Sequence, residues 1–258
     1  MPESGGVLMG GVLECAARTD IGLVRERNED ALWVDAEQGW LLLADGMGGH
    51  KAGGVASALA VSHVLDCLRM DASRGRGTDE VEMDRATLLA TSVIDANTAI
   101  RDAACKMEGV DVMGSTFVGA LLRPDELTYV YIGDSRLYVL RGGALMQLSR
   151  DHTVVQEFVD AGKITADVAQ NHPYRGLLTR GLGVHDEADP DTGVCELRAG
   201  DRLLLCSDGL TDMVGEERIA SLLGASIRAE EIAGNLIEAA KTNGGRDNIS
   251  VIVAWFAA

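Results

Sequence analysis

The sequence predicts an α+β fold built mainly from antiparallel sheets with helices packed outside. Strand-length apolar runs and helix-period segments come in blocks, not in strict alternation, which disfavours a doubly wound parallel sheet. Arg141-Gly142-Gly143-Ala144 joins two of the runs as a hairpin turn, the connection antiparallel strands use. Neither an internal repeat nor a Pro-rich linker divides the 258 residues, so a single domain over 12–258 is the simpler expectation.

Residues 1–11 are Gly-rich and are expected to form a flexible, frayed N-terminus. Strands are predicted over Leu13–Arg18, Ala31–Val34 and Trp40–Ala44. Helical spacing follows from Gly53 to Met70, with Val55, Leu59, Ser62, Leu65 and Arg69 in one row and Val61, Val64 and Leu68 beside it. The polar stretch Asp71–Asp79 reads as a surface loop. A second helix is predicted over Glu80–Lys106, where Leu89, Val93, Ala96 and Ile100 share a face.

Short strands are then predicted over Ser115–Leu122, Leu127–Ile132, Arg136–Leu140 and Ala144–Leu148. Thr153–Ala161 returns to helical character, with Thr153 or Asp151 as its cap. Lys163–Gly183 is irregular and polar, and residues 150–183 are expected to form a flap. Leu203–Cys206 is a strand, Glu216–Leu223 and Ala229–Thr242 are helices with Gly244 stopping the second, and Ile249–Phe256 closes the chain as a strand.

Composition narrows the function. Forty acidic against 23 basic residues leave a formal charge of −17, which disfavours nucleic-acid binding and docking on anionic lipid. Solubility is the plain alternative reading of that acidity. The cysteines Cys15, Cys67, Cys105, Cys195 and Cys206 are odd in number and scattered, with no CxxC pair. Reduced thiols in a cytoplasmic protein are therefore expected. No basic residue precedes Arg18 and Gly10-Gly11 break the apolar N-terminal stretch, so no signal peptide is expected. Nor is membrane insertion, because no segment approaches the roughly 20 apolar residues that span a bilayer.

The chemistry lies in aspartates beside apolar runs. Trp40–Ala44 leads into Asp45-Gly46, Leu203–Ser207 into Asp208-Gly209, and Tyr129–Ile132 into Gly133-Asp134, while Asp247-Asn248 precedes Ile249–Val253. Strands that each deliver a carboxylate at one end can gather carboxylates distant in sequence. Such groups repel unless a cation lies between them, and hard oxygen ligands suit Mg²⁺ or Mn²⁺. A lone Asp-Gly is a favoured hairpin turn. Here, however, the residues after Gly46 are Met47-Gly48-Gly49-His50-Lys51-Ala52-Gly53-Gly54, which read as a Gly-rich loop opening a helix. That loop is not a nucleotide cradle: His50 precedes Lys51 where a P-loop needs Gly, and Lys51 stands where GxGxxG needs its third Gly. Arg25-Glu26-Arg27-Asn28-Glu29-Asp30 is the other dense cluster. It reads either as a solvated turn of compensating charges or as two further carboxylates and a guanidinium fork for an anion such as phosphate.

In this order the motifs resemble those of the metal-dependent type 2C (PPM) serine/threonine protein phosphatases, in their compact bacterial form. They are GLVRERNED at Gly22–Asp30, ADGMGGH at Ala44–His50, GST at Gly114–Thr116, GDSR at Gly133–Arg136, SRDH at Ser149–His152, LTRGLG at Leu178–Gly183, SDGL at Ser207–Leu210 and RDN at Arg246–Asn248. The resemblance spans about Cys15 to Trp255. It implies a four-layer α/β/β/α sandwich, two antiparallel sheets flanked by helix pairs. It also implies a two-ion Mn²⁺ or Mg²⁺ centre in which Asp45 bridges, the Gly46 carbonyl ligates one ion and Asp208 and Asp247 the other. Glu29 and Asp30 would hold metal-bound waters, Arg25 the phosphate, and Asp134 with Asp208 a third ion.

The implied reaction is hydrolysis of phosphoserine and phosphothreonine in proteins by a metal-activated water attacking in line, without a phosphoenzyme. The implied partners are phosphorylated proteins and a cognate Ser/Thr kinase, and a monomer is expected. Many eukaryotic relatives carry a histidine after the Asp-Gly pair, where this chain has Met47. The proton donor to the leaving alkoxide is then either His50 or a metal-bound water, and His50 as a loop residue without a role is equally open. A pseudophosphatase on the same fold and a carboxylate-metal nucleotidase are the alternatives. The intact Arg25, Asp45, Asp208 and Asp247 argue against the first, and the ordered motifs against the second.

Overall fold

The near-continuous apolar runs form the central strands of two stacked antiparallel sheets, each covered on its outer face by helices. The computed structural model describes residues 6–8, 11–48, 52–74, 84–107, 112–123 and 125–257. In chain order the strands are β1 (Gly6–Leu8), β2 (Gly11–Asp20), β3 (Asp30–Asp35), β4 (Trp40–Gly48), β5 (Met113–Ser115), β6 (Phe117–Leu122), β7 (Glu126–Ile132), β8 (Arg136–Arg141), β9 (Ala144–Gln147), β10 (Asp191–Glu196), β11 (Arg202–Cys206) and β12 (Ile249–Ala257). The helices are α1 (Ala52–Arg74), α2 (Arg85–Ala104), α3 (Val154–Asp160), α4 (Ala166–Gln170), α5 (Asp208–Thr211), α6 (Glu216–Leu223) and α7 (Ala229–Thr242).

One sheet runs β1-β2-β12-β11-β8-β9 and the other β10-β7-β6-β4-β3, with β5 paired to the far end of β4. Burial on both faces explains why the strands lack polar alternation. Leu41 and Leu43 of β4 face the sheet that contains β11, whose Leu203 and Leu205 meet them in the inner layer. Their neighbours Leu42 and Ala44 pack under α1 and α2, and Leu204 and Cys206 under α6 and α7. The result is the four-layer α/β/β/α sandwich.

Several elements depart from the sequence reading. Gly6–Leu8, expected to fray, pairs with Gly11–Leu13 as an edge strand. Helix α1 runs through Arg74, so Asp71–Arg74 is helical, and the rest of that presumed loop lies outside the described residues. Its buried row is Ala52, Ala56, Ala60, Val64 and Leu68, whereas Val55 is exposed and Arg69 lies over the Trp33 ring at 5.3 Å. Alanines let the helix approach the sheet closely, and a hydropathy row does not weigh that. Helix α2 begins at Arg85, capped by Asp84, whose carboxylate accepts the Thr87 N–H at 3.3 Å. Its row Leu89, Val93, Ala96 and Ile100 is buried as predicted.

Strand β4 does not stop at Ala44. It continues through Asp45 and Gly46 to Gly48, pairing with Met113–Ser115, so Asp45-Gly46 is not the start of a loop. The run Ser115–Leu122 is split at Thr116 into β5 and β6. Thr153 is the α3 cap, accepting the Gln156 N–H at 3.2 Å, while Asp151 instead binds Arg136. The sequence reading omits β10, whose Asp-Thr-Gly-Val-Cys-Glu is an edge strand with only alternate residues half-buried. It also omits the short α4 and α5.

Candidate metal centre

Five aspartates in or beside different strands are delivered to the same end of the sandwich. Asp45 follows the buried run of β4, and Asp30 opens β3 directly opposite it in the ladder. Asp208 follows β11 as the first residue of α5. Asp134 follows β7 on a turn whose Gly133 has φ 101°, a conformation that favours glycine. Asp247 precedes β12.

Asp45 is held from three sides. Its N–H donates to Thr116 Oγ1 at 3.0 Å, and its carbonyl accepts the Thr116 N–H at 2.8 Å and the Ser115 hydroxyl at 2.9 Å. Thr116 Oγ1 in turn meets Ser135 Oγ at 2.7 Å. These bonds tie the Gly114–Thr116 and Gly133–Arg136 motifs to the backbone of Asp45, which fixes where its carboxylate stands and gives both motifs a physical purpose.

Gly46 admits no side chain. A methyl group there would lie 2.1 Å from the Gly53 carbonyl oxygen and 2.6 Å from that of Glu29. The Gly46 N–H donates to the Glu29 carbonyl at 3.2 Å. Glu29 Oε2 would lie 2.9 Å from a methyl group on Gly53, so Glu29, Gly46 and the start of α1 form one tight junction.

Asn248 anchors the charged cluster, a role the sequence reading did not give it. Its Oδ1 accepts the Glu29 N–H at 2.8 Å, and its Nδ2 donates to the carbonyls of Arg27 at 2.8 Å and Ile21 at 3.0 Å. Arg25 Nη2 donates to Asp247 Oδ2 at 2.6 Å. Ser207 was likewise unassigned; its hydroxyl donates to Asp30 Oδ2 at 3.1 Å. The signal for both lay in the RDN and SDGL motifs, where each precedes or follows an aspartate.

A cleft of about 800 Å³ opens over these residues. Arg25, Glu29, Asp45, Gly46, Asp134, Asp208 and Asp247 all line it, so seven of the sequence-predicted site residues meet there. Asp30 lies behind it against Ser207, and His50 lies outside the described residues. The segment Gly176–Gly181 forms the opposite wall. It is held by the Thr179 N–H on the His152 carbonyl at 2.8 Å and the Val154 N–H on the Leu177 carbonyl at 3.0 Å.

Electrostatics favour a cation here. Burial, and then the charges of neighbouring carboxylates, raise Asp45 and Asp208 well above the ordinary carboxylate range. Burial pushes Asp30 up to about 6, although hydrogen bonds from Ser250 and Ser207 pull it back. Asp134 is pushed up to about 7 by burial and by Asp151, against the pull of Arg136. Among the described residues Asp30 Oδ1 and Asp208 Oδ1 are buried with no hydrogen-bond partner. Orphaned carboxylate oxygens in a cluster of mutually repelling acids fit hard divalent cations, which take oxygen ligands.

The model of the family described as "Protein phosphatase 2C" matches residues 24–240. The serine/threonine protein phosphatase PstP of Mycobacterium tuberculosis is 44% identical over 243 residues, which are 94% of this chain and 45% of that protein. The chain thus spans about half the length of that relative. The serine/threonine phosphatase stp of Listeria monocytogenes is 37% identical over 239 residues, covering 92% of this chain and 93% of that one. Among solved structures, the catalytic domain of PstP in complex with two manganese ions superposes with a TM-score of 0.80 at 41% identity, covering 95% of this chain and 99% of that chain. With the sandwich, the strand-end aspartates and this extended similarity in agreement, the chain belongs to the protein phosphatase 2C family.

Proposed function

We propose that this chain hydrolyses phosphoserine and phosphothreonine in proteins, using two Mn²⁺ or Mg²⁺ ions. One observation carries the reading: Asp45, Asp208 and Asp247 meet in a single cleft with Arg25, and one of these carboxylates has a buried, unpartnered oxygen. The relative solved with two manganese ions supports the ion pair. Asp45 would bridge the ions, with the Gly46 carbonyl on one and Asp208 and Asp247 on the other. Asp134 is the charge that most raises its neighbour Asp208, which supports a third ion position between those two.

When bound, the ions supply Lewis-acid charge and an acidified water. The remaining work falls to side chains. Arg25 binds the phosphate in a forked, directional way and counters its charge; its guanidinium already reaches a carboxylate of the cleft at 2.6 Å. Glu29 and Asp30 orient water by accepting its protons in hydrogen bonds. Asn248 keeps Arg25 and Glu29 in register with Asp247 by holding the intervening backbone. Cysteine chemistry is disfavoured. No cysteine lines the cleft, and burial pushes the Cys206 thiol up to about 12.

The wall Gly176–Gly181 belongs to the segment 150–183, which would act as a flap shaping substrate choice. The partners would be phosphorylated proteins and an opposing Ser/Thr kinase, met by a monomer in the cytoplasm. Among the described residues no helix is long and apolar enough to cross a membrane. Comparing hydrolysis of a phosphothreonine peptide with that of a nucleotide, with and without Mn²⁺, tests the reading. Metal-dependent turnover of the peptide supports it; turnover of the nucleotide alone overturns it.

A further inference from the structure

Helices α1 and α2 pack side by side, and three side chains of types that can ligate a metal meet on their surface, none of them among the residues that line the acidic cleft. His63 and Cys67 lie one turn apart in α1, at the i, i+4 spacing that puts two ligands on one helix face. Asp95 reaches them from α2. One nitrogen, one sulfur and one carboxylate oxygen lie within 4.8 Å of one another. His63 and Cys67 are half-buried and Asp95 is exposed, so an ion has an open path to the group. Among the described residues none of the three makes a hydrogen bond or an ion pair. The neighbouring Asp66, by contrast, is drawn to Arg69 at 3.8 Å.

We propose that His63, Cys67 and Asp95 form a separate site for a borderline-soft divalent metal of the Zn²⁺ class, with water as the fourth ligand. Around a tetrahedral Zn²⁺ the donor atoms stand roughly 3.3–3.8 Å apart, so small side-chain rotations close the present spacing. Ligand chemistry separates the two centres. A thiolate and an imidazole favour Zn²⁺, whereas Mg²⁺ and Mn²⁺ prefer the all-oxygen cleft. On binding, the Cys67 thiol gives its proton to water and its sulfur gives an electron pair to the metal, with no change of oxidation state. The bound ion would staple α1 to α2. It would thereby steady the helix whose first turn holds Gly53 against Gly46.

Cobalt titration of the metal-stripped full chain tests this. Wild type should gain a thiolate-to-cobalt charge-transfer band with intense tetrahedral visible bands, and Zn²⁺ should bleach both. Asp208→Asn, altered only in the cleft, should retain the bands. Cys67→Ser should abolish the charge-transfer band while keeping the wild-type circular dichroism spectrum. Exposed Asp95→Asn should weaken cobalt binding at this band by at least ~10-fold, the lower bound for losing even a supporting group. Absence of the band in wild type, or its survival in Cys67→Ser, would overturn the assignment.

Discussion

Asp30 and Asp45 face each other directly across the β3–β4 ladder. Burial is the main influence that raises both acids, and the charge of Asp30 is the next that raises Asp45. In the metal-free chain these acids, with Asp134, bind more protons folded than unfolded. Stability is therefore fully present below the unfolded value of 3.8 and is lost as pH rises toward about 6 for Asp30 and about 7 for Asp134. The melting temperature in a chelator should fall across that window, and Mn²⁺ should restore it. Asp45→Asn should flatten the fall. A metal-free profile identical in wild type and Asp45→Asn would show that the repulsion is not felt.

Arg25 is half exposed and donates to Asp247 at 2.6 Å. Arg25→Ala should lower kcat/KM for a phosphopeptide by roughly 10- to 100-fold, the worth of a charge-assisted hydrogen bond, and act mainly through KM. Arg25→Lys should recover only part, because a point charge lacks the fork. Steady-state kinetics decide; an unchanged kcat/KM would remove Arg25 from phosphate binding.

Asn248 satisfies three backbone groups of the charged cluster with one side chain. Asn248→Ala leaves them unpaired and should cost on the order of 2–4 kcal/mol in urea unfolding. Asn248→Asp keeps the acceptor for Glu29 but loses both donors and adds a negative charge to the acidic cluster, so it should cost at least as much. A loss under about 0.5 kcal/mol for Asn248→Ala would mean that water replaces the side chain freely.

Gly46 and Gly142 contrast close contact with open space. A methyl group on Gly46 would strike backbone oxygens at 2.1 and 2.6 Å, which no side-chain rotation relieves. Gly46→Ala should cost about 3 kcal/mol or more. Gly142 has nothing within 4 Å and pays only for its φ of +56°, so Gly142→Ala should cost about 1 kcal/mol. Paired thermal melts test this, and equal losses would contradict the tight junction.

Legibility in the sequence tracked contrast. Helices α6 and α7 have acidic first turns and clear apolar stripes, and their predicted ends coincide with the structure. Helix α1 buries alanines, so its face was legible only in part: Val61, Val64, Leu65 and Leu68 are buried, but Val55 is exposed and Ala52, Ala56 and Ala60 were missed. β10 is polar and lies at an edge, and only its pairing with β7 makes it a strand. The aspartates were legible because each adjoins an apolar run that folds as a strand, which fixes its position in space. Thr116, Ser207 and Asn248 stood inside the motifs, but their roles were not legible, because their hydrogen bonds reach residues far away in the chain.

In the proposed reaction Asp208 serves the ions that drive phosphate-ester hydrolysis, and its buried Oδ1 has no hydrogen-bond partner among the described residues. The most direct measurement is phosphothreonine-peptide turnover by wild type and Asp208→Asn across a Mn²⁺ titration. Wild type should require Mn²⁺, and Asp208→Asn should lose at least ~10²-fold in kcat, the scale of losing one key electrostatic group. Near-normal, Mn²⁺-dependent turnover by Asp208→Asn would contradict its place as a ligand, and turnover by wild type in chelator would contradict the metal centre itself.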